Sequence, residues 1–226
     1  MDWYPLLNSL RIALIATGIT FFCGIFAAYY TSKMPRFAKG VLDCLLTLPL
    51  VLPPTVVGFF LLKLMGPRGA LGAWALSAFG ARLTMTWSAA IPAVVVVTFP
   101  LMYRTARGAF ESVDPQLLGA GRTLGHRNSW VFWRVLMPNC RQGLLAGAVL
   151  AFARGLGEYG ATSMVCGYTP GRTATISTTV YQLWREGRDA LAYRWVAVNL
   201  AISFAVLVAV NLLERRQGSR REAGRC

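Results

Sequence analysis

The sequence predicts an all-α membrane protein, a polytopic bundle of five transmembrane helices with six as the upper bound. Three observations carry this. Hydrophobic residues make up 55% of the 226-residue chain and charged ones 14%, and the apolar residues gather into long runs instead of spreading as a soluble core requires. Four runs, Ile12 to Ser32, Cys44 to Leu62, Leu83 to Tyr103 and Trp195 to Leu213, contain no Asp, Glu, Lys or Arg, and each is about long enough to cross a hydrocarbon layer of roughly 30 Å. A fifth, Gln142 to about Cys166, is apolar except for Arg154 and Glu158. The chain reads as one membrane domain, 1–226, with a cytoplasmic loop at 105–141 and a basic tail at 214–226.

The first run follows Asp2 and holds 21 uncharged residues, which suits a retained helix better than a cleaved signal peptide. The second carries Pro49, Pro53 and Pro54. Each proline deletes a backbone donor and displaces a carbonyl, so a continuous helix is not expected. Broken backbone survives at membrane depth where protein or a water-filled cavity satisfies it, which turns this span towards the interior of an assembly; the bland alternative is a kinked packing helix. Pro92 and Pro100 raise the same expectation for the third run. The fourth span opens on Gly143 and Gly147, a spacing that lets another helix approach without saying which. Of the connections, Lys33 to Lys39 reads as a tight basic turn, Gly66 to Arg82 as a Gly- and Ala-rich outer loop, and "TATISTTVYQLWREG" as a short surface helix.

Net charge is +14, and its distribution decides what it means. Lys33, Arg36 and Lys39 follow the first span, Arg104, Arg107, Arg122, Arg127, Arg134 and Arg141 lie between the third and fourth, and Arg215, Arg216, Arg220, Arg221 and Arg225 follow the last. These segments fall on one side of the membrane, and the positive-inside rule makes that side cytoplasmic, with the N-terminus outside and the C-terminus inside. Such a spread forms no single basic face, so nucleic acid is not an expected partner; the tail can rest on anionic lipid. Cys23, Cys44, Cys140, Cys166 and Cys226 show no CxxC spacing, and His126 has no nearby ligand partner, so no metal site is expected. Cys166 reads as a free buried thiol. No catalytic constellation and no phosphate-binding G-x-x-x-x-G-K-[ST] loop is present, so the chain is not expected to be an enzyme or to bind a cofactor itself.

The loop "SVDPQLLGAGRTLGHRNSWVFWRVLMP" is punctuated. Asp114 and Pro115 start a helix, Gly125 supplies a left-handed stop, Asn128 or Ser129 caps a second helix, and Pro138 ends it. Leu117, Leu118 and Leu124 on the first, with Trp130, Trp133 and Met137 on the second, make an apolar surface large for a loop standing in water. Such a pair either lies on lipid or docks into a partner protein.

At this point the segment resembles the cytoplasmic signature of the permease subunits of bacterial ATP-binding-cassette importers: Glu-Ala-Ala, three residues, Gly, nine residues, Ile, one residue, Leu-Pro. Here Gly119, Ala120 and Gly121 stand at the Glu-Ala-Ala positions, followed by Gly125, by Val135 for the Ile and by Met137-Pro138 for the Leu-Pro. The departure is Gly119 for Glu, and two glycines weaken the helix by about 1 kcal/mol each relative to Ala. "LPLVLPPTVVGFFLL" and "VLAFARGLGEYGATSMV" resemble the corresponding stretches of the molybdate permeases of that family, with sulfate and thiosulfate permeases as the alternative. The resemblance implies the type I importer permease fold, an ATPase partner that carries ATP and Mg and docks on Gly119, Ala120, Gly121, Leu124, Gly125, Trp130, Trp133, Val135 and Pro138, an external oxyanion-binding protein, and a homodimer with the solute on its twofold axis.

If the fourth helix starts near Gln142, Arg154 lies roughly 18 Å in, close to the bilayer centre. Facing lipid there costs about 2.5 to 3.5 kcal/mol, so its face should point inward. Four apart on a helix, Arg154 and Glu158 can pair and fix helix arrangement; the sharper reading gives Arg154 positive potential on an anion path moderated by Glu158, with Gly157, Gly160, Pro49, Pro53, Pro54 and Thr55 forming a gate. Readings of other classes are an ion-coupled transporter with Glu158 as its proton site and a non-transporting scaffold.

Overall fold

The computed structural model describes residues 2–223, and side chains through residue 208. Every regular element among them is helical: α1 Tyr4–Ser32, α2 Arg36–Val51, α3 Pro54–Met65, α4 Ala70–Phe79, α5 Ala90–Glu111, α6 Pro115–Thr123, α7 Asn128–Val131, α8 Met137–Leu156, α9 Gly160–Cys166, α10 Ile176–Arg185 and α11 Asp189–Ala223. Tyr4–Ser32, Trp87–Glu111, Asn128–Leu156 and Asp189–Val208 are each long and apolar enough to span, and α2 with α3, bent by 105°, makes the fifth.

Helix α5 is the central post, packed by α1, α2, α3, α8 and α9. Its N-terminal half is small and branched, and Ala90, Ala93, Val94 and Val97, with Ala89 just before them, are buried against Ile12 and Ala16 of α1, Val57 of α3 and Val165 of α9. Its C-terminal half buries Met102, Tyr103, Ala106 and Phe110 against Ile25 and Ala28 of α1 and Leu136, Cys140 and Leu144. A polar pair inside this bundle is satisfied locally: Thr98 donates to the Val94 carbonyl at 2.8 Å and lies 3.3 Å from the Thr20 hydroxyl of α1, since no water is available to either group. The helix that Gly143 and Gly147 admit is α5. A Cβ at Gly147 would stand 3.0 Å from Thr105 Cβ, and one at Gly143 2.9 Å from Ala109 Cβ.

Several elements differ from the sequence reading. The third span is unbroken, with Pro92 in the first turn of α5, where a donor would be unpaired anyway, and Pro100 carried inside it among packed neighbours. That span starts late; residues 83–86 lie outside the helix, and Met85 adopts φ 60° while its N–H donates to the Val165 carbonyl at 3.0 Å. A left-handed non-glycine costs roughly 1–2 kcal/mol, balanced here by a cap on the last turn of α9. The outer loop Gly66 to Arg82 contains α4, which ends at Gly80 with φ 63°. The fourth span is not one helix to Cys166: it stops at Leu156 and resumes as α9.

Pro138 does not end the second cytoplasmic helix. The chain runs from α7 through a π-helical turn, Phe132–Leu136, straight into α8. The reason lies in the buried stripe Phe132, Leu136, Cys140, Leu144, whose repeated spacing of four drifts off one face of a regular helix of 3.6 residues per turn; one widened turn brings it back. Asn139 Nδ2 donates to the Val135 carbonyl at 2.7 Å, supplying a partner beside the proline. Arg127, not Asn128 or Ser129, occupies the N-cap, with no side-chain capping bond.

Between α9 and α11 the expected surface helix is present as α10, opened by a capping box between Thr175 and Thr178. The first turns of α1 hold it in place. Tyr4 donates to the Arg172 carbonyl at 2.5 Å, Asn8 Nδ2 to the Ala174 carbonyl at 2.9 Å, and the Ile176 N–H donates to Ser9 Oγ at 2.9 Å. Cys166 is buried and free. The side chains of the basic tail, and Cys226, lie outside the described residues.

Candidate functional site

Two helix breaks meet inside the bundle. At the first, Pro53 caps α3 and Pro54 opens it, which removes the donors that would have continued α2; Pro49 stays within α2. At the second, α8 ends at Leu156 and Gly157, Glu158 and Tyr159 cross to α9. The two come together because glycines let the backbones touch. A Cβ at Gly160 would lie 2.9 Å from Pro54 Cβ and 3.1 Å from the Thr55 nitrogen, and one at Gly58 2.8 Å from Ala161 Cα.

Glu158 organises the second break. Its Oε2 accepts from Arg154 Nη1 at 2.6 Å and its Oε1 accepts from the Ala161 N–H at 2.9 Å, and its side chain is 1% exposed. The carboxylate therefore serves the free N–H groups at the start of α9, while Arg154 sits in the last turn of α8. Each charge stands at the helix end whose dipole suits it. The expected pair is present, but Glu158 lies in the break and not on the Arg154 helix, so the ordinary rule for residues four apart does not set its strength. Arg154 keeps 36% of its side chain open, and Thr55, Pro53 and Gly157 are also exposed.

The segment between α5 and α8 forms a second surface. Asp114 caps α6 by accepting from the Gln116 N–H at 2.8 Å, and Gly125 takes φ 81° while the His126 N–H returns to the Gly121 carbonyl, a glycine stop of the expected kind. The His126 ring stacks on Trp130 with centroids 3.7 Å apart. Leu124 is 76% exposed, and Leu117, Trp130 and Trp133 are exposed with it. Leu118 and Met137 instead pack on the core around Met102, Tyr103 and Phe110. Beneath this face Phe132 sits among Phe26, Tyr29 and Phe110. Gly121 is buried, with Val131 Cγ2 3.1 Å and Val135 Cγ2 3.9 Å from where its Cβ would be, whereas a Cβ at Gly119 meets nothing within 4 Å. A bulky residue at 121 would push α6 off the π turn; a side chain at 119 projects freely.

Sequence reasoning missed one cluster. Asp43 of α2 accepts from the Tyr103 hydroxyl and from Arg107 Nη1 of α5, and Glu111 accepts from Arg107 Nε and Lys39 Nζ, both at 2.9 Å. Its signal was an acid standing one residue before an uncharged run.

A multi-span bundle in which two broken helices converge on a buried charge is the construction of a membrane transport subunit. The chain belongs to the family of binding-protein-dependent transport system inner membrane components, whose model matches residues 20–219. It is 39% identical over 225 residues to the molybdenum transport system permease protein ModB of Escherichia coli (strain K12), covering 99% of this chain and 97% of that one. It is 30% identical over 207 residues to the sulfate transport system permease protein CysW of Synechocystis, covering 92% and 75%. Among solved structures, a chain of the MetNI methionine ABC transporter in an inward-facing form superposes with a TM-score of 0.72 at 14% identity, covering 94% of each chain. The fold is thus that of type I importer permeases, and the protein is a multi-pass membrane transport subunit. A binding-protein-dependent family does not favour the ion-coupled reading of Glu158.

Proposed function

We propose that the chain is the translocation subunit of an ATP-driven importer for molybdate or tungstate, working as a homodimer with two ATPase subunits and an external oxyanion-binding protein. The observation that carries the anion class is 39% identity across nearly the whole length of the molybdenum permease, against 30% for the sulfate permease. The site supports two copies: Arg154 at membrane depth and the backbone ends at Pro53 and Gly157 need cover that lipid cannot give, and a second copy around a twofold axis would supply it while enclosing a path. Along that path Arg154 attracts the dianion, Glu158 keeps the attraction moderate, and Pro53, Pro54, Thr55, Gly157 and Gly160 form the gate, with Pro49 on the arm leading to it. Arg154→Gln is expected to lower uptake about tenfold or more with ATPase assembly intact, read by anion uptake into proteoliposomes and by co-purification; lost assembly would instead assign Arg154 to packing.

The exposed Leu124, Trp130 and Trp133 face is the ATPase dock, held in shape by Gly121, Gly125, Val135 and Pro138 and lying beside Gly119 and Ala120. ATP and Mg reside on the ATPase, and the chain holds no cofactor of its own. The basic segments set the N-terminus outside and the C-terminus in the cytoplasm. Reconstitution with the ATPase and candidate binding proteins tests the reading: molybdate-loaded binding protein is expected to stimulate ATP turnover, and stimulation by sulfate alone would reassign the substrate. A photo-crosslinker at Leu124 or Trp130 is expected to capture the ATPase; capture of phospholipid alone would overturn the docking assignment.

A further inference from the structure

We propose that Asp43 is a positioning residue for transport, locking α2 to the cytoplasmic end of α5 so that movement entering at the α6–α7 segment is carried along α2 to the Pro53 bend. The proposal rests on the reading of that segment as the ATPase dock. The starting observation is how little holds α2. None of its 16 residues is buried, and Leu46 is its one side chain packed on the cytoplasmic core. An arm so placed is free to slide or roll on an apolar surface unless something directional fixes it.

The polar ladder is directional. Lys39 and Asp43 stand four apart on α2, and Tyr103, Arg107 and Glu111 at steps of four on α5, so the two stripes face each other in register. Asp43 receives both the Tyr103 hydroxyl and Arg107 Nη1, while Arg107 Nε and Lys39 share Glu111. Isolated surface ion pairs contribute little. Here the side chains of Asp43 and Arg107 are only 19% and 26% exposed, and removing Asp43 takes away both its own bonds to α5, leaving Lys39 and Glu111 as the one remaining tie between the two helices in the ladder. Geometry then gives the ladder a consequence. Glu111 is the last residue of α5, three before the cap of α6. The far end of α2 lies about 12 Å beyond Asp43 along its axis and joins the bend where Pro54 touches Gly160. The route from dock to gate is therefore Glu111, Arg107, Asp43, α2 and Pro53.

The test uses the full transporter in proteoliposomes. Asp43→Asn is expected to cut binding-protein-stimulated ATP turnover and uptake about tenfold, leaving basal turnover and ATPase co-purification near wild type. Asp43→Asn with Tyr103→Phe together is expected to be no worse than Asp43→Asn alone, because the Tyr103 hydroxyl acts through its bond to Asp43. Nitroxides on the native, exposed Cys44 of α2 and on Arg104→Cys of α5, in a background with Cys23→Ser and Cys226→Ser, supply a readout that a general packing role would not move. In the otherwise unchanged protein their separation should be the same without nucleotide and with ATP and vanadate; in Asp43→Asn it should shift or broaden on trapping. A separation that changes on trapping with Asp43 present, full stimulation in Asp43→Asn, or deficits that multiply in the double variant would each overturn the proposal. If Asp43→Asn fails to fold, the distance measurement with Asp43 present still decides it. Crosslinking from Trp130 in the same preparations separates the two readings: capture of the ATPase with unaltered stimulation in Asp43→Asn removes the ladder alone, whereas no capture removes the dock and the ladder together.

Discussion

Glu158→Ala is expected to be the most damaging single substitution in the membrane part of the protein, costing about 3 kcal/mol of folded stability, the low end for a broken buried pair because Arg154 is partly exposed. One change leaves two groups without partners: the Arg154 guanidinium and the Ala161 N–H that Glu158 Oε1 now receives. The Ala161 N–H is fully buried and recovers nothing by solvation, whereas Arg154, with 36% of its side chain open, recovers part of its loss. Thermal unfolding of the detergent-extracted protein measures it. Glu158→Gln separates structure from charge, since an amide oxygen can still accept from Ala161 while the negative charge is gone. It is expected to remain extractable and monodisperse yet to import poorly, because Arg154 would then hold an anion too tightly. Should Glu158→Ala unfold at the same temperature as the unaltered protein, the cap and the pair would have no structural weight.

Gly58→Val is expected to separate the two broken helices. A Cβ there would stand 2.8 Å from Ala161 Cα and 3.1 Å from the Ala161 carbonyl oxygen, with Met164 Cβ at 3.0 Å. Two of these neighbours are backbone and have no rotamer into which to retreat. Overpacking of this kind costs about 1–3 kcal/mol, and the relief available is to move α3 away from α9, which pulls Pro54 off Gly160. Uptake should therefore fall further than stability does, a contrast read by comparing transport with the unfolding midpoint. Transport at the unaltered rate would mean that the contact between α3 and α9 is not part of the gate.

Much of this architecture was legible in the sequence because membrane depth enforces it. Uncharged runs located the spans, three prolines marked the bend between α2 and α3, and Asp114, Pro115 and Gly125 set the bounds of α6. What stayed hidden depends on partners distant in sequence. Pro100 looks like a break until the helices around α5 are in place, and Pro138 looks like a stop until Phe132 is seated among Phe26, Tyr29 and Phe110. The pairing of Arg154 with Glu158 could be read from their spacing and is present, but the end of α8 between them could not, since Gly157 in an apolar run reads equally as a packing surface. Asp43 was passed over because its partners, Tyr103 and Arg107, lie 60 and 64 residues away.

The seven residues of α9 are far fewer than an isolated helix needs to persist. Its order is borrowed, from the Glu158 carboxylate at one terminus and the Met85 amide at the other. Withdrawing either loan leaves α9 held only by its buried Ala161, Thr162, Val165 and Cys166 against α3 and α5, so a seven-residue segment this closely seated is expected to shift with those neighbours as one body and not to unwind by itself.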